Sequence, residues 1–430
     1  MNLTVIVLAA GQGMLGKPGR PGVHHPLAGR PMLQHVINAA RPLEPVDLVV
    51  VAGHGTGGDL DLIWQALGDG VTVVKATGLP DTLSASRGEV AGTVLVLPGN
   101  MPLIRPESLR QIVDHHEREG AAVTVVTGSG IFCCRGEWLW PQLPNLARLS
   151  SEVEDALIHL AAMARDQTER VAVWPEQRDD RLTSSGAPDP LEVMHVDNLV
   201  KLAQAEGEMR RRIYERWMLA GVTLVHPEAT YIDAGVEIGA ETVIWPNTFL
   251  QGETRIGQAC MLGPGAVIRD STIGDGCRVE LSVLEHAIME EGSEIGPFGH
   301  LRSGAHLGTG VHMGNFGEVK NSYLGSGVKM GHFSYLGDAT VGAGVNVGAG
   351  TITCNYDGQR KYRTVIGEDV FLGSDTMLVA PVEVGKGAMT GAGSVVTHDI
   401  PPGTVAYGVP ARVQSPDPES APGTDAGAEA

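Results

Sequence analysis

From Ile238 to Ile268 an aliphatic residue recurs at every sixth position: Ile238, Ile244, Leu250, Ile256, Leu262 and Ile268. A helix returns its apolar face about every 3.6 residues and a free strand every second one, so this period belongs to neither. It is the signature of a parallel β-helix. The beat resumes at Leu301, Leu307, Met313 and Val319, at Leu324, Met330 and Leu336, at Val341 and Val347, and at Ile366, Leu372, Leu378 and Val384. The second half of the chain reads as a solenoid, and 58 glycines with only 4% aromatic residues suit its tight corners and aliphatic interior.

The 430 residues leave room for a second domain ahead of it. Residues 1–197 alternate strand-like and helix-like segments. Leu3 to Gly13 reads as an apolar strand running into a Gly-containing loop, and further strands are expected at Val46–Ala52, Val71–Lys75, Thr93–Pro98 and Ala121–Thr127, the pattern of an α/β parallel sheet of Rossmann-like type. Asn198–Ala220 has apolar residues at helical spacing and no proline, which makes 198–221 a linker helix before a solenoid at 222–413. Residues 414–430 contain only Pro, Ser, Gly, Ala, Thr, Gln and acids and are expected to be a disordered acidic tail.

A net charge of −19 argues against nucleic acid or an anionic membrane as partner, so an anionic substrate must meet a local basic patch. The apolar stretch Val5–Ala10 is too short for a signal or a span, and a cytoplasmic protein is expected. Five cysteines without a CxxC pair (Cys133, Cys134, Cys260, Cys277, Cys354) read as packing residues.

The solenoid register makes chemistry readable. With three faces of six residues, positions about eighteen apart stack roughly 4.8 Å from one another. Leu301, Val319, Leu336 and Thr353 then form one inner column, and Arg302, Lys320 and Gly337 follow the first three on one face. Two cations that close repel by about 1 kcal/mol in water and by a few at an effective dielectric near 20. Their placement asks for an anion such as phosphate; the alternative is a solvated ladder neutralised by Glu318. Tyr335 shares the face. The one conspicuous break in the beat, Cys354–Thr364, must leave the coil as a loop carrying Asn355 and Tyr356. His300, His306 and His312 have the spacing of metal ligands, but six residues rotate by a whole face, so within one chain they cannot share an ion. His332 lies near the cationic pair, where a neutral imidazole can accept a proton.

The runs GNFGEVKNSYLG, GHFSYLGDATVGAGVNVGAGTITCNYDG and DVFLGSDTMLVAPVEVGKGA resemble the acetyltransferase half of the bacterial GlmU family. The resemblance extends over essentially the whole chain. It implies a left-handed β-helix, a homotrimer with acetyl-CoA bound between neighbouring prisms, and small-molecule substrates. It also implies acetylation of glucosamine 1-phosphate followed by uridylation to UDP-N-acetylglucosamine, the cell-wall precursor of peptidoglycan and lipopolysaccharide. By the same resemblance Arg302, Lys320, Tyr335 and Asn346 bind the sugar phosphate and His332 is the general base. Ala349, Asn355, Tyr356, Ser374 and Ala392 line the acetyl-CoA site, with Lys361 in the loop that covers it, and Arg412 is a candidate for the family's late arginine. The reaction implied is direct acyl transfer, without metal or covalent intermediate in this half.

The first half keeps the outline of the family's opening segment, LAAGxGTRMxSxxPKxLxxLxGxPM, in Leu8, Ala9, Ala10, Gly11, Gly13, Pro21, Leu27, Gly29, Pro31 and Met32. The charged residues are missing: Met14 and Leu15 replace the Thr-Arg pair and Gly22 the lysine, with Lys17 and Arg20 as possible substitutes. A leucine and a glycine cannot hold a triphosphate. The uracil-binding stretch has become KATGLPDTLS, Lys75 to Ser84. The metal-binding aspartate of GDxPL is Asn100 and the second metal position, usually Asn, is Asp197, so both are weak Mg²⁺ candidates. The expectation is a glucosamine-1-phosphate N-acetyltransferase whose uridyltransferase half is degenerate and supports the trimer or binds a regulator. The alternatives are a fully bifunctional enzyme needing Mg²⁺, an acetyltransferase of another amino sugar, and a non-catalytic sugar-phosphate scaffold.

Overall fold

The computed structural model describes residues 2–9, 22–52, 67, 69–75, 92–146, 153–175 and 189–414. Ala10, Gly11, Gly13, Met14, Leu15, Lys17, Arg20, Pro21, the stretch 76–84 and the tail 415–430 lie outside the described residues. The chain forms two compact units, Met1–Arg211 and Arg212–Ala430.

The first unit is a seven-stranded sheet in the order Thr72–Lys75, Asp47–Ala52, Leu3–Leu8, Thr93–Pro98, Phe132–Arg135, Val123–Val126, Val171–Trp174. Leu3–Leu8 is buried along its whole length because both faces are covered. Leu3, Val5 and Val7 pack with Val36, Ile37, Leu109 and Ile112 from the helices Met32–Ala40 and Pro106–Glu119. Ile6 and Leu8 pack on the other side with Trp138, Leu139, Leu143, Leu160 and Ala164, from the helices Gly136–Leu146 and Val153–Asp166. The sheet is mixed, not purely parallel as the sequence pattern suggested. Phe132–Arg135 runs antiparallel to both neighbours. The link from Val126 to Phe132 is too short for a crossover helix, which takes a dozen or more residues, so the chain must turn straight back.

The helix Leu199–Leu219 spans the boundary between the units. Its start is set by Asn198, whose Oδ1 accepts the Lys201 N–H at 3.0 Å. Gly221, with φ of 90°, ends the turn that follows it.

The second unit is a triangular prism of three parallel sheets. Its first face has twelve strands from Thr223–Leu224 to Ala411–Val413, its second ten from Tyr231–Ile232 to Val395–Val396, and its third nine from Glu237–Ile238 to Val382–Val384. Each beat residue points inward; Ile244, Leu250, Leu262 and Ile268 are fully buried. The position two before the beat is small and also buried, and its hydroxyl or thiol often donates to a carbonyl of the next coil. Thr242 reaches Gly257 O at 2.9 Å, Cys260 Gly274 O at 3.1 Å, Cys277 Glu290 O at 3.1 Å and Ser293 Gly308 O at 2.7 Å. Cys260 and Cys277 are thus free packing thiols, and burial pushes the latter up to about 11.

The coil is continuous where the beat seemed to pause. Ile256 pairs with Ile273, Leu262 with Val279, Ile268 with Leu284, and Ile273 with Met289. Some corners here are one residue shorter, which breaks the count without breaking the sheets. Asp270, Leu281 and His286 take positive φ at these corners.

Candidate functional site

Met330 follows Lys329, which pairs with Asn346; Val347 pairs with Leu372; and Phe371, just before Leu372, pairs with Met389. Counting two residues on from each of these first-face strands brings His332, Ala349, Ser374 and Ala392 to equivalent corners of successive coils. They form a single edge between the first and second faces, stepped by roughly 4.8 Å per coil. The corners are pressed backbone to backbone: a Cβ on Gly348 would lie 2.6 Å from Leu372 O and Ser374 N, and one on Gly373 2.6 Å from Thr390 O and 2.8 Å from Ala392 N. Glycine is therefore required beside Ala349 and Ser374, whereas a Cβ on Gly331, beside His332, would meet nothing within 4 Å, and the edge below His332 is lined by small side chains. His332 is exposed, and its imidazole has no hydrogen-bond partner among the described residues.

The second column stands on the second face. His300 pairs with Glu318 and Leu301 with Val319; Glu318, Val319 and Lys320 then pair with Tyr335, Leu336 and Gly337. Arg302, Lys320 and Gly337 thus stack as the coil arithmetic requires. Arg302 Nη1 donates to Glu318 Oε1 at 2.9 Å, so the neutralising role foreseen for Glu318 is spent on Arg302, on which the Glu285 carboxylate also acts. Lys320 is half-buried and makes no ion pair among the described residues. The Tyr335 ring folds back over Gly337, where a Cβ would sit 2.2 Å from its Oη and 2.8 Å from Asn355 Nδ2. Asn355 is buried, and its Nδ2 donates to Asp338 Oδ2 at 2.5 Å while Asn321 Nδ2 donates to the other oxygen at 2.5 Å. A tyrosine, a lysine and a fixed amide therefore converge at the end of these strands.

The loop after Ile352–Cys354 is a small hairpin. Tyr356 bridges to Lys361, Tyr362 N donates to Asn355 O at 2.9 Å, and the Asp357 carboxylate accepts the N–H groups of Gln359 at 2.7 Å and Arg360 at 2.6 Å. Those two bonds hold the Asp357 carboxyl below its usual range. Tyr356 and Lys361 are both exposed.

The remaining residues are spread out. Asn346 lies on the first face between Lys329 and Phe371, across the His332 corner from Tyr335. Arg412 pairs with Tyr407 in the antiparallel ending of the first-face sheet, and Tyr407 lies against Gly391, the neighbour of Ala392, so Arg412 stands just past the last residue of the corner column. His300, His306 and His312 fall on the second, third and first faces and pair with Glu285, Glu290 and Glu294 at 3.3, 2.8 and 2.6 Å, so no two of them share a face.

In the first unit Asn100 follows the carboxyl end of Thr93–Pro98, and its carbonyl accepts Val196 N at 2.9 Å, which brings Asp197 beside it. Two residues not foreseen from the sequence dominate here: His195, whose Nδ1 lies 3.1 Å from Asn100 Oδ1, and Lys201, whose Nζ lies 2.7 Å from Asp197 Oδ2. The four-residue step from Asp197 to Lys201, across the start of the helix, was a readable signal. The His195 contact was not.

Residues 5–220 match the family described as MobA-like NTP transferase domain, and residues 363–398 match the bacterial transferase hexapeptide repeat. With three parallel sheets stacked along the second unit, these make the fold a Rossmann-like nucleotidyltransferase-type domain followed by a left-handed parallel β-helix. Among the described residues no helix is long and apolar enough to cross a membrane. The chain is 38% identical to the bifunctional protein GlmU of Pelobacter propionicus, over 94% of this chain and 95% of that one. Identity to the protein of the same name from Stutzerimonas stutzeri is 40%, covering 95% and 96%; for that from Syntrophomonas wolfei it is 36%, covering 94% and 97%. Similarity of this extent, through both units and the corner that carries His332, makes the chain a member of the GlmU family.

Proposed function

We propose that the prism transfers the acetyl group of acetyl-CoA to the amine of glucosamine 1-phosphate, giving N-acetylglucosamine 1-phosphate for UDP-N-acetylglucosamine synthesis, and that uridyl transfer by the first unit is weak or lost. The observation that carries the first part is the corner column. Ala349, Ser374 and Ala392 lead in file to His332, so an extended coenzyme lying along the edge would bring its thioester end to the imidazole. Arg302 and Lys320 supply the phosphate charge, with Tyr335 and Asn346 orienting the sugar. Asn355, Tyr356 and Lys361 close over the coenzyme.

In the reaction, neutral His332 accepts a proton as the amine nitrogen attacks the thioester carbonyl. The C–N bond forms, backbone or side-chain donors hold the oxyanion, and the C–S bond then breaks. The imidazolium returns the proton to the departing thiolate. The second face with Tyr335 and the first with Asn346 are divided by the His332 corner, which supports a homotrimer in which neighbouring prisms complete one site.

The second part rests on Met14, Leu15 and Gly22 in place of charged residues and on Asn100 in place of a carboxylate. A bifunctional enzyme is the competing reading, favoured by similarity over nearly the whole length of relatives bearing that name. Mg²⁺ would be a cofactor only in that case. A paired assay separates them: thiol release from acetyl-CoA with glucosamine 1-phosphate, and pyrophosphate release from UTP with N-acetylglucosamine 1-phosphate. Thiol without pyrophosphate is expected; both products at enzymatic rates would establish the bifunctional reading, and neither would leave a scaffold.

A further inference from the structure

The edge of the first unit that would hold a divalent cation is built differently from a metal site. Both candidate ligand side chains are already engaged. Asn100 Oδ1 is 3.1 Å from His195 Nδ1, and His195 is held from the far side by Ser129 O, 3.0 Å from its Nε2. Asp197 Oδ2 receives the Lys201 ammonium at 2.7 Å, and its Oδ1 receives Asn198 Nδ2, also at 2.7 Å. Lys201 lies in the first turn of the helix Leu199–Leu219 and Asp197 just before its Asn198 cap, so the fixed backbone at that turn keeps the ammonium within reach of the carboxylate, both side chains being partly exposed.

A hard dication needs oxygen ligands with lone pairs free and with negative charge to repay its dehydration. Here the one carboxylate has its charge cancelled by a compact cation, which also repels a second cation at that distance. The neutral amide faces a histidine. Among the described residues no group of three or more His, Cys, Asp or Glu side chains is arranged to hold a metal ion. The residues present do not fit Mg²⁺.

We infer that the Lys201 ammonium is a built-in replacement for the divalent cation at Asp197, and that His195 locks Asn100 out of metal coordination. The exchange at the two metal positions is then a change of cation and not a compensated swap of ligands. This deepens the reading that uridyl transfer is weak or lost, and names the residues responsible.

The test uses the full-length protein and Mn²⁺, whose free ion gives a countable electron paramagnetic resonance signal. Up to about 1 mM Mn²⁺, in the range of weak oxygen-ligand sites, the wild type should take up no more ion than Asp197→Asn. The triple variant Asn100→Asp, His195→Ala, Lys201→Ala should gain a site at least about tenfold tighter than any in the wild type. Uptake by the wild type that disappears in Asp197→Asn would overturn the inference, and so would a folded triple variant that gains no site. Should the triple variant not fold, the comparison of wild type with Asp197→Asn decides alone. Pyrophosphate release is followed in parallel: uptake of Mn²⁺ without turnover sinks this inference and leaves the loss of uridyl transfer standing, whereas turnover without uptake does the reverse.

Discussion

Ser374 stands on the same prism edge as His332, two coils further along, with only the small Ala349 between them and the Gly348 backbone packed directly on the Ser374 corner. That alignment joins a basic group to a line of small residues. If His332 is the base at its head, His332→Ala lowers kcat for acetyl transfer by roughly two to four orders of magnitude. Coenzyme binding, measured by calorimetry, stays within a few-fold, because Ser374 and Ala392 are untouched. Unchanged turnover would remove His332 from the role.

Bulk introduced on the edge should act on the coenzyme alone. Ala392 is exposed at its corner, so Ala392→Trp fits without disturbing the core, and a blocked groove raises KM for acetyl-CoA at least about tenfold, or roughly 1.4 kcal/mol. The KM for glucosamine 1-phosphate remains near wild type. A shift confined to the sugar would mean that the coenzyme lies elsewhere.

Lys320 carries the charge that Glu318 leaves uncompensated. Lys320→Ala should weaken binding of the phosphorylated sugar by about 10- to 100-fold, the range of a lost charge-assisted hydrogen bond. Glucosamine without phosphate, a poorer substrate, should be affected little. Steady-state kinetics with both acceptors check this; equal loss with each would argue against a phosphate contact.

At Gly337 an added Cβ would meet the movable end of Tyr335 and, at 2.8 Å, the Nδ2 of Asn355, but no backbone atom as close. Gly337→Ala therefore displaces the phenol and presses on the Asn355 amide while the strands themselves stay paired. Thermal unfolding should shift by no more than a few degrees, while KM for the sugar phosphate rises several-fold. A large drop in Tm with unaltered kinetics would place the role of this glycine in the coil and not in the site.

In the first unit His116 is buried, its Nδ1 lies 2.8 Å from Thr124 Oγ1, and burial, with Arg135 and His115 adding to it, lowers its pKa to about 4 from the ordinary 6.5 of a histidine. The folded state favours the neutral ring, so the unfolded chain takes up the proton first on acidification. Stability is whole above about pH 6.5 and is lost as pH falls toward about 4, by up to roughly 3 kcal/mol. His116→Asn should flatten that slope in urea titrations of the first unit's unfolding. An equal slope in both proteins would show that other groups govern it.

The six-residue beat made the prism, its inner columns and the Arg302–Lys320–Gly337 stack readable, because an aliphatic side chain must point inward once per face. It hid the coils between Ile268 and Leu301, where shortened corners offset the count. The His332 edge was open to the same arithmetic, but the inserted hairpin upsets the spacing between Val347 and Leu372, and its last beat is the buried Thr390, which does not look aliphatic. The antiparallel Phe132–Arg135 could be read from its short link to Val126. The His195–Asn100 contact could not, since 95 residues separate the partners and only tertiary folding joins them.

A solenoid edge is a ruler graduated in coils. Whatever lies along it is addressed at intervals of roughly 4.8 Å, so the distance from the reacting end of a ligand to its far end is encoded as a number of turns. Inserting or deleting one residue within a face would be absorbed at a corner, as the shortened turns after Ile268 demonstrate. Adding a whole turn between His332 and Ala392 would leave every local contact intact and still misplace the chemistry by one graduation.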